Sequence, residues 1–306
     1  MDWRVKGITQ KVLGSVPGGG FLGHCLRCWL GELSNVSRDV ASKVEDWQGL
    51  MDDLRAAGIG SVRGATICEI GAGWHPTIPL CFYLAGAGSI QATDINRHMD
   101  DRIAMQALDA LEPHLDKIVH CAKSDAGATR ERLNRLRNAD SLEHMLSVAG
   151  ITYRHGRTAG TIAYCAPGSF DIVYSNNVLE HVPAPEINKL SHDTARALRT
   201  GGVAVHAVAC NDHYAHFDRS ISFVNFLQYS DEEWEKWDNG ILWQNRLRAP
   251  DFVRLCNIPA ARLVYRQQYT RPGSLEAIKG MSIPERFAGY ALEDLAATTI
   301  HLVTRT

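Results

Sequence analysis

The feature that most constrains the fold of this chain is an alternation of short apolar strands and helices that begins at Ala65. The first predicted strand, Ala65–Glu69, runs into the glycine turn Gly71–Gly73 and then into a helix. A second strand, Ser89–Thr93, ends at Asp94 and is again followed by a helix. Strands that alternate with helices in this way predict a parallel sheet with helical crossover connections.

The alternation continues further along the chain. Apolar residues recur at helical spacing from Ile187 to Leu198, and Gly201 with Gly202 is expected to close that helix. Further strands are predicted at Ile151–Arg154, Phe170–Tyr174, Val203–Cys210, Arg262–Tyr265 and Thr298–Val303. We therefore expect an α/β fold with a doubly wound, mostly parallel, Rossmann-like sheet.

Three regions are distinguished around this sheet. Residues 1–60 are expected to form a helical N-terminal extension, residues 61–210 the α/β core, and residues 211–306 a C-terminal cap with the last strands. Residues 114–150 are a helical insertion in the core. Because ligands of open α/β sheets bind beyond the carboxyl ends of the strands, the cap is expected to cover the ligand pocket.

The composition excludes several classes of protein. A net charge of −2 provides no general attraction for nucleic acid or an anionic membrane. The longest apolar run, Ile78–Gly88, has eleven residues, whereas a membrane span needs ~20. The cysteines are scattered except for Cys25 and Cys28, which lack the second pair of a zinc or redox site and are interpreted as reduced thiols. Since the N-terminus is unlike a secretory signal, we expect a cytoplasmic protein.

The turn after the first strand predicts a ligand site of a particular kind. Glu69 precedes the turn, where its carboxylate would repel a pyrophosphate but attract a cationic amino group. Asp94 ends the next strand, where a carboxylate can bind both hydroxyls of a ribose. Pro76 stands where a dinucleotide fingerprint has its third glycine. A ligand with an amino-acid end, a ribose and no phosphate satisfies all three observations, and S-adenosylmethionine is such a ligand.

Over Ala65–Cys210 the sequence resembles the class I S-adenosylmethionine-dependent methyltransferases. The resemblance is carried by Glu69–Gly73, Asp94, Phe170–His181 and Ala197–Gly202, in this order and spacing. It implies a Rossmann-like methyltransferase fold, S-adenosyl-L-methionine as the cofactor, and methyl transfer as the activity.

The resemblance also implies which residues contact the cofactor. The methionine part is assigned to Glu69, Gly71, Ala72 and Gly73, and the ribose to Asp94 with the following Ile95 and Asn96. The methionine side is further lined by Ser175, Asn176 and Asn177, and the mouth of the pocket is flanked by Glu180 and His181.

One stretch departs from the family's pattern. Members often carry an acidic residue after the third strand that hydrogen-bonds the adenine amino group, whereas Tyr153–Ala159 contains no carboxylate. We expect backbone groups or Thr158 to contact the adenine instead.

The segment after the fifth strand, Asn211–Asp218, concentrates groups that can act on a methyl acceptor. Methyl transfer needs mainly an aligned nucleophile, and a hydroxyl acceptor also needs a general base. His213 or His216 is predicted as that base, and His213 is favoured because it lies nearer the strand end. Asp212 or Asp218 is expected to orient it. Metal ligation by these side chains and a purely structural loop are the alternatives, although the chemistry requires no metal.

Two other groups of residues bear on the acceptor. Aromatic side chains of the cap are predicted to form the packed underside of a lid: Phe223, Phe226, Tyr229, Trp234, Trp237 and Trp243. Arg246 and Arg248 either bind an anionic group of the substrate or lie at the start of a solvated helix. The arginines between Arg130 and Arg137 alternate with leucines and have no aromatic neighbour to stack on a base, so no nucleic acid partner is expected.

The sequence thus predicts a methyltransferase acting on a small molecule or glycan, most readily on oxygen with a histidine base. N- or C-methylation of a small metabolite would use the same cofactor site. A nicotinamide-dependent oxidoreductase and a non-catalytic S-adenosylmethionine-binding protein are the remaining alternatives, and the missing third glycine argues against the oxidoreductase. A homo-oligomer is compatible with this composition.

Overall fold

The computed structural model describes residues 2–14, 35–157, 161–239 and 243–306. The strands in these ranges are β1 Thr66–Ile70, β2 Ser89–Asp94, β3 Ile151–His155, β4 Phe170–Asn176, β5 Leu198–Ala209, β6 Arg262–Tyr269 and β7 Thr299–Arg305. They form one sheet in the order β3-β2-β1-β4-β5-β7-β6. Strands β1 to β5 are parallel, and β7 runs antiparallel to its neighbours β5 and β6.

Helices cover the sheet and build the cap. The α-helices of the described ranges are α1 Trp3–Gly14, α2 Val36–Ala56, α3 Thr77–Leu84, α4 Asp101–Leu111, α5 Leu115–Ala122, α6 Ala126–Arg137, α7 Leu142–Val148, α8 Ala184–Ala197, α9 Asp231–Glu235, α10 Ala249–Cys256, α11 Ser274–Lys279 and α12 Leu292–Ala296. The predicted doubly wound α/β class is confirmed. None of these helices combines the length and apolar composition that crossing a membrane requires.

One predicted boundary is wrong. Gly201 and Gly202 do not close helix α8, which ends at Ala197 because Leu198 already has extended backbone angles. The glycines lie inside β5 instead, where Gly201 has a φ of +78°. A side chain on Gly202 would place its Cβ 2.8 Å from the Arg199 carbonyl oxygen. The glycine pair therefore serves a turn within the strand rather than a helix end.

Helix α2 is part of the main hydrophobic core. Its apolar residues recur every three or four positions, and Val40, Val44, Trp47 and Leu50 are fully buried. The helix begins after Asn35, whose side chain accepts a hydrogen bond from the Arg38 amide. The helix packs against α3, α4 and β5, and its Asp46 contacts Asn176 at the end of β4.

The cap has a separate aromatic core. Trp3 of α1 stacks on Trp234 with ring centroids 5.8 Å apart, and it also contacts Tyr214, Tyr229 and Trp237. The predicted packing of aromatic residues under a lid is therefore confirmed for this cluster, and the first helix of the chain completes it.

The arginines of α6 form the expected polar face. Leu133 and Leu136 are fully buried beneath it. Arg130 and Arg137 pair with Glu112, and Arg135 pairs with Glu131, so these arginines are engaged on the surface of the insertion. Cys25, Cys28 and Thr158 lie outside the described residues.

Candidate active site

The glycine turn lies between the ends of β1 and β2. The amides of Gly71 and Ala72 both donate to the Thr93 carbonyl, at 2.8 and 3.0 Å. Gly71 has a φ of +83°, and a Cβ placed on it would lie 2.4 Å from Cγ2 of Val178. Only glycine fits this position, because the segment after β4 passes directly against the turn.

Asp94 is held at the end of β2 by backbone amides. Its Oδ2 accepts from the Gly73 amide at 3.1 Å and its Oδ1 from the Asn96 amide at 2.9 Å. The carboxylate is thereby fixed against the glycine turn, and the next residue, Ile95, is exposed. His98 lies at the edge of this site, with its Nε2 3.9 Å from Asp94 Oδ1 and its ring beside Trp74.

Glu69 is a buried carboxyl group at the centre of the sheet edge. It is only 4% exposed, and its Oε2 has no hydrogen-bond partner in the described part of the chain. Burial raises the pKa of Glu69 to about 8, against smaller opposing effects of the Tyr174 hydroxyl and of Lys43. A buried acid without a paired cation is suited to a positively charged ligand group, which would restore the ionised form.

Helix α2 contributes two side chains to this edge that were not predicted from the sequence. The Asn176 amide donates to Asp46 Oδ2 at 2.8 Å. Lys43 pairs with the same oxygen at 3.2 Å. Helical periodicity places Lys43 and Asp46 one turn apart, but nothing local in the sequence indicates that their helix crosses the end of β4.

The predicted residues at the end of β4 divide into two groups. Ser175 is fully buried and its hydroxyl is 2.8 Å from His206 Nδ1, so it pairs across to β5. Burial lowers the pKa of His206 to about 4. Asn177 is exposed and has a φ of +55°, with its amide donating to the Ala207 carbonyl at 2.9 Å. Asn176 and Asn177 thus turn the chain toward Val178 and the glycine turn.

A cluster of three side chains lies where β4 and β5 end. Glu180 and His181 belong to the short 3-10 helix Leu179–His181, and His213 follows β5. The potential ligand atoms of the three residues all lie within 4.8 Å of one another. Glu180 is 2% exposed, and burial raises its pKa to about 8. The ring of His181 is 5.1 Å from that of His213.

The predicted pairing of an aspartate with a catalytic histidine is not present. Asp212 instead caps the 3-10 helix His213–His216, accepting from the amide of Tyr214 at 2.9 Å and from the side chain of Asn225 at 3.0 Å. Burial raises the pKa of Asp212 to about 6.

Asp218 is equally engaged elsewhere. It accepts hydrogen bonds from the Trp3 amide and from Ser220. Both aspartates therefore hold the loop in place, and neither contacts a histidine ring.

The two histidines of this loop differ in their surroundings. No described residue forms a hydrogen bond with the ring of His213, whose amide donates to Gln244 Oε1 at 3.0 Å. Burial, with His181 and His216 nearby, lowers the pKa of His213 to about 3. The ring of His216 is exposed, and its Nε2 is 2.8 Å from Asn211 Nδ2.

Both predictions for Arg246 and Arg248 are wrong. Arg248 is fully buried and donates to the carbonyls of Cys210 and Leu295, at 2.6 and 3.0 Å, and of Ala297. Arg246 donates to backbone carbonyls of the cap and to Asp231. Arg248 joins the cap to the end of β5, and Arg246 joins segments within the cap. Buried guanidinium groups are stable only when their donors are paired.

The fold and this edge define a class I methyltransferase: a doubly wound sheet, a glycine turn after β1, and a carboxylate at the end of β2. A family model described as "Methyltransferase domain" matches residues 41–257. The chain belongs to that family and is an S-adenosylmethionine-dependent methyltransferase. The nicotinamide-dependent alternative is thereby excluded.

The solved structures to which the chain is similar are only distantly related in sequence. An S-adenosylmethionine-dependent methyltransferase from Mesorhizobium loti is 16% identical, with a TM-score of 0.42, and 80% of this chain aligns with 93% of that one. A geranyl diphosphate C-methyltransferase from Streptomyces coelicolor is 12% identical, with a TM-score of 0.45 and coverages of 85% and 77%. No curated protein sequence matches the chain.

Proposed function

We propose that this enzyme transfers the methyl group of S-adenosylmethionine to a hydroxyl oxygen of a small molecule or glycan. The observation that carries the proposal is the position of the histidines after β4 and β5, where Val178 of the same segment as His181 contacts the glycine turn. Three imidazoles, His181, His213 and His216, follow one another there with ring centroids 5.1 and 6.1 Å apart. Such a cluster suits an acceptor that must lose a proton.

The cofactor is proposed to bind along the edge formed by β1, β2 and β4. The buried carboxyl of Glu69, whose Oε2 has no hydrogen-bond partner in the described residues, fits a cationic amino group. Asp94, fixed by two amides, fits the two hydroxyls of a ribose. When bound, S-adenosylmethionine supplies a methyl group on a positively charged sulfur. Asn96 and the backbone of Ala72 would also contact the cofactor. Lys43 and Asp46 of helix α2 would cover the amino-acid end of the cofactor.

The acceptor is proposed to lie between the histidine cluster and the cap. In the metal-free protein His213 takes the proton of the acceptor hydroxyl, since its ring nitrogens have no other partner among the described residues. The lowered pKa of His213 keeps its ring in the neutral, proton-accepting form at physiological pH. A base with so low a pKa provides little driving force for proton transfer. The acceptor hydroxyl must therefore be acidic, as in a phenol, or be assisted by another charge.

A transfer assay tests the proposal. The enzyme is incubated with S-adenosylmethionine carrying a labelled methyl group and with phenols, sugars and amines of similar size. We expect labelled methyl ethers, and we expect His213→Gln to reduce turnover by ~10²–10⁴ without changing cofactor affinity. Label found only on nitrogen or carbon, or unchanged turnover in both His213→Gln and His216→Gln, contradicts it. Binding of the cofactor without transfer to any acceptor supports the non-catalytic alternative.

A further inference from the structure

The three side chains that meet at the ends of β4 and β5 have the composition of a metal site. Glu180 offers a carboxylate, and His181 and His213 each offer an imidazole, with all ligand atoms within 4.8 Å of one another. A tetrahedral cation with bonds of ~2.1 Å holds its ligand atoms ~3.4 Å apart. Small side-chain rotations are therefore enough to bring the three residues into coordination.

Glu180 is the strongest indication that something binds there. The residue is 2% exposed, and neither of its carboxylate oxygens has a hydrogen-bond partner in the described ranges. Buried carboxylates are ordinarily paired with cations, hydrogen-bonded or bound to metals, because burial without compensation is costly. The backbone amides of Glu180 and Ala209 and the charge of Lys43 offset only part of the effect of burial on its pKa, and neither histidine of the cluster is hydrogen-bonded to it.

His181 is oriented as metal-binding histidines usually are, and the ring of His213 is free to bind. The Nδ1 of His181 is 2.7 Å from the Trp243 carbonyl oxygen, and since a carbonyl only accepts, Nδ1 carries the proton. Its Nε2 therefore has a free lone pair. A ring nitrogen that donates to a backbone carbonyl and so orients the other nitrogen is the common arrangement around a bound metal. The ring of His213 has no hydrogen bond to any described residue, so its lone pair is available as well.

We propose that Glu180, His181 and His213 bind one divalent transition-metal cation, with Zn²⁺ as the reference ion. Two imidazoles and one carboxylate suit Zn²⁺, Mn²⁺, Fe²⁺ or Co²⁺, whereas Mg²⁺ and Ca²⁺ prefer oxygen ligands alone. Three protein ligands leave a coordination position open, as in catalytic rather than structural sites.

The role of the cation rests on the proposed function. The open position takes the acceptor oxygen, and the cation makes the hydroxyl more acidic. The O–H bond of the acceptor breaks and its proton passes to His216. A new bond forms between the acceptor oxygen and the methyl carbon, while the bond from that carbon to sulfur breaks and leaves the neutral thioether. In this form His213 is a ligand, and the cation provides the charge that a weakly basic imidazole lacks.

Metal titration tests the site without reference to activity. The protein is stripped with a chelator and titrated with Zn²⁺ by calorimetry and with Co²⁺ by visible absorption. We expect one equivalent to bind, with Glu180→Gln and His213→Gln each weakening it by ~100-fold or more, since loss of even an outer partner costs ~10–100-fold. The control is His216→Gln, whose ring is the next nearest. Cofactor affinity of His213→Gln reports whether that variant is folded.

The outcomes separate the two proposals. If no cation binds stoichiometrically, or if His216→Gln weakens cation binding as much as Glu180→Gln and His213→Gln do, the metal site is overturned, whatever the turnover of the enzyme. If the cation binds but turnover is equally fast after its removal by chelator, the role at the acceptor is overturned. A bound cation with no methyl transfer to any hydroxyl, in the metal-loaded or stripped form, contradicts the proposed function and supports the site itself.

Discussion

Replacement of Gly71 by alanine tests whether the glycine turn must lie against the segment after β4. Gly71 and Gly73 both have positive φ values, +83° and +64°. A left-handed conformation costs an L-residue ~1–2 kcal/mol, so an alanine at either position would carry this cost. At Gly73 a Cβ would meet nothing within 4 Å, whereas at Gly71 it would overlap Val178 at 2.4 Å. Overpacking of this kind adds ~1–3 kcal/mol, so Gly71→Ala should cost roughly 2–5 kcal/mol and Gly73→Ala only ~1–2.

The assay is urea unfolding without cofactor, comparing midpoints at an unchanged m-value. Val178→Ala removes the overlapping methyl, so in a double-mutant cycle with Gly71→Ala we expect a coupling energy of ~1–3 kcal/mol. The same substitution combined with Gly73→Ala should be additive within ~0.5 kcal/mol. Equal costs for the two glycines, or no coupling to Val178, would refute the close approach.

Three further predictions concern the cofactor, the cap and pH. Asp94→Ala should weaken S-adenosylmethionine binding by ~1–3 kcal/mol in calorimetry, whereas Asp116→Ala, on the exposed face of α5, should not; equal affinities would remove Asp94 from the site. Arg248→Met leaves three buried carbonyls unpaired and should destabilise the protein by ~3 kcal/mol, while Arg254→Met removes an exposed guanidinium that pairs with Asp251 and should cost less than ~1 kcal/mol; similar melting temperatures would contradict this. His206 has a pKa of about 4 when folded, against an ordinary value of 6.5, so below pH 6.5 the unfolded chain binds a proton that the native one excludes. Stability should therefore fall by ~3 kcal/mol more in the wild type than in His206→Gln between pH 6.5 and 4, and parallel stability curves for the two proteins would refute it.

Much of the fold and of the cofactor edge could be predicted because the signals are local. Period-two and period-3.6 patterns indicate the strands of the sheet and the helix after β4 within a few residues. Gly71 and Asp94 follow directly from the strands they end, and parallel strands bring their carboxyl ends together whatever the rest of the chain does. The aromatic lid was likewise visible as a local concentration of rings.

The arrangement of the residues around the methyl acceptor could not be predicted in the same way, because it depends on contacts between segments that are distant in the sequence. Asp212 adjoins His213 in the sequence, yet its oxygens accept from Tyr214 and Asn225, and no pattern distinguishes a capping aspartate from a catalytic one. Arg248 resembles a surface residue until β5 and α12 enclose it. In the same way the chain order does not show that α2 reaches Asn176.

The amino-acid sequence alone determined that a parallel sheet is flanked by helices and that the cofactor belongs at the carboxyl ends of the strands. Hydrophobic periodicity and turn chemistry depend only on residues that are close in the sequence. Packing decided which polar groups at that edge remained without partners. Glu180, His181 and His213 come from two loops more than thirty positions apart, and their meeting arises only when β4 and β5 lie side by side in the folded sheet.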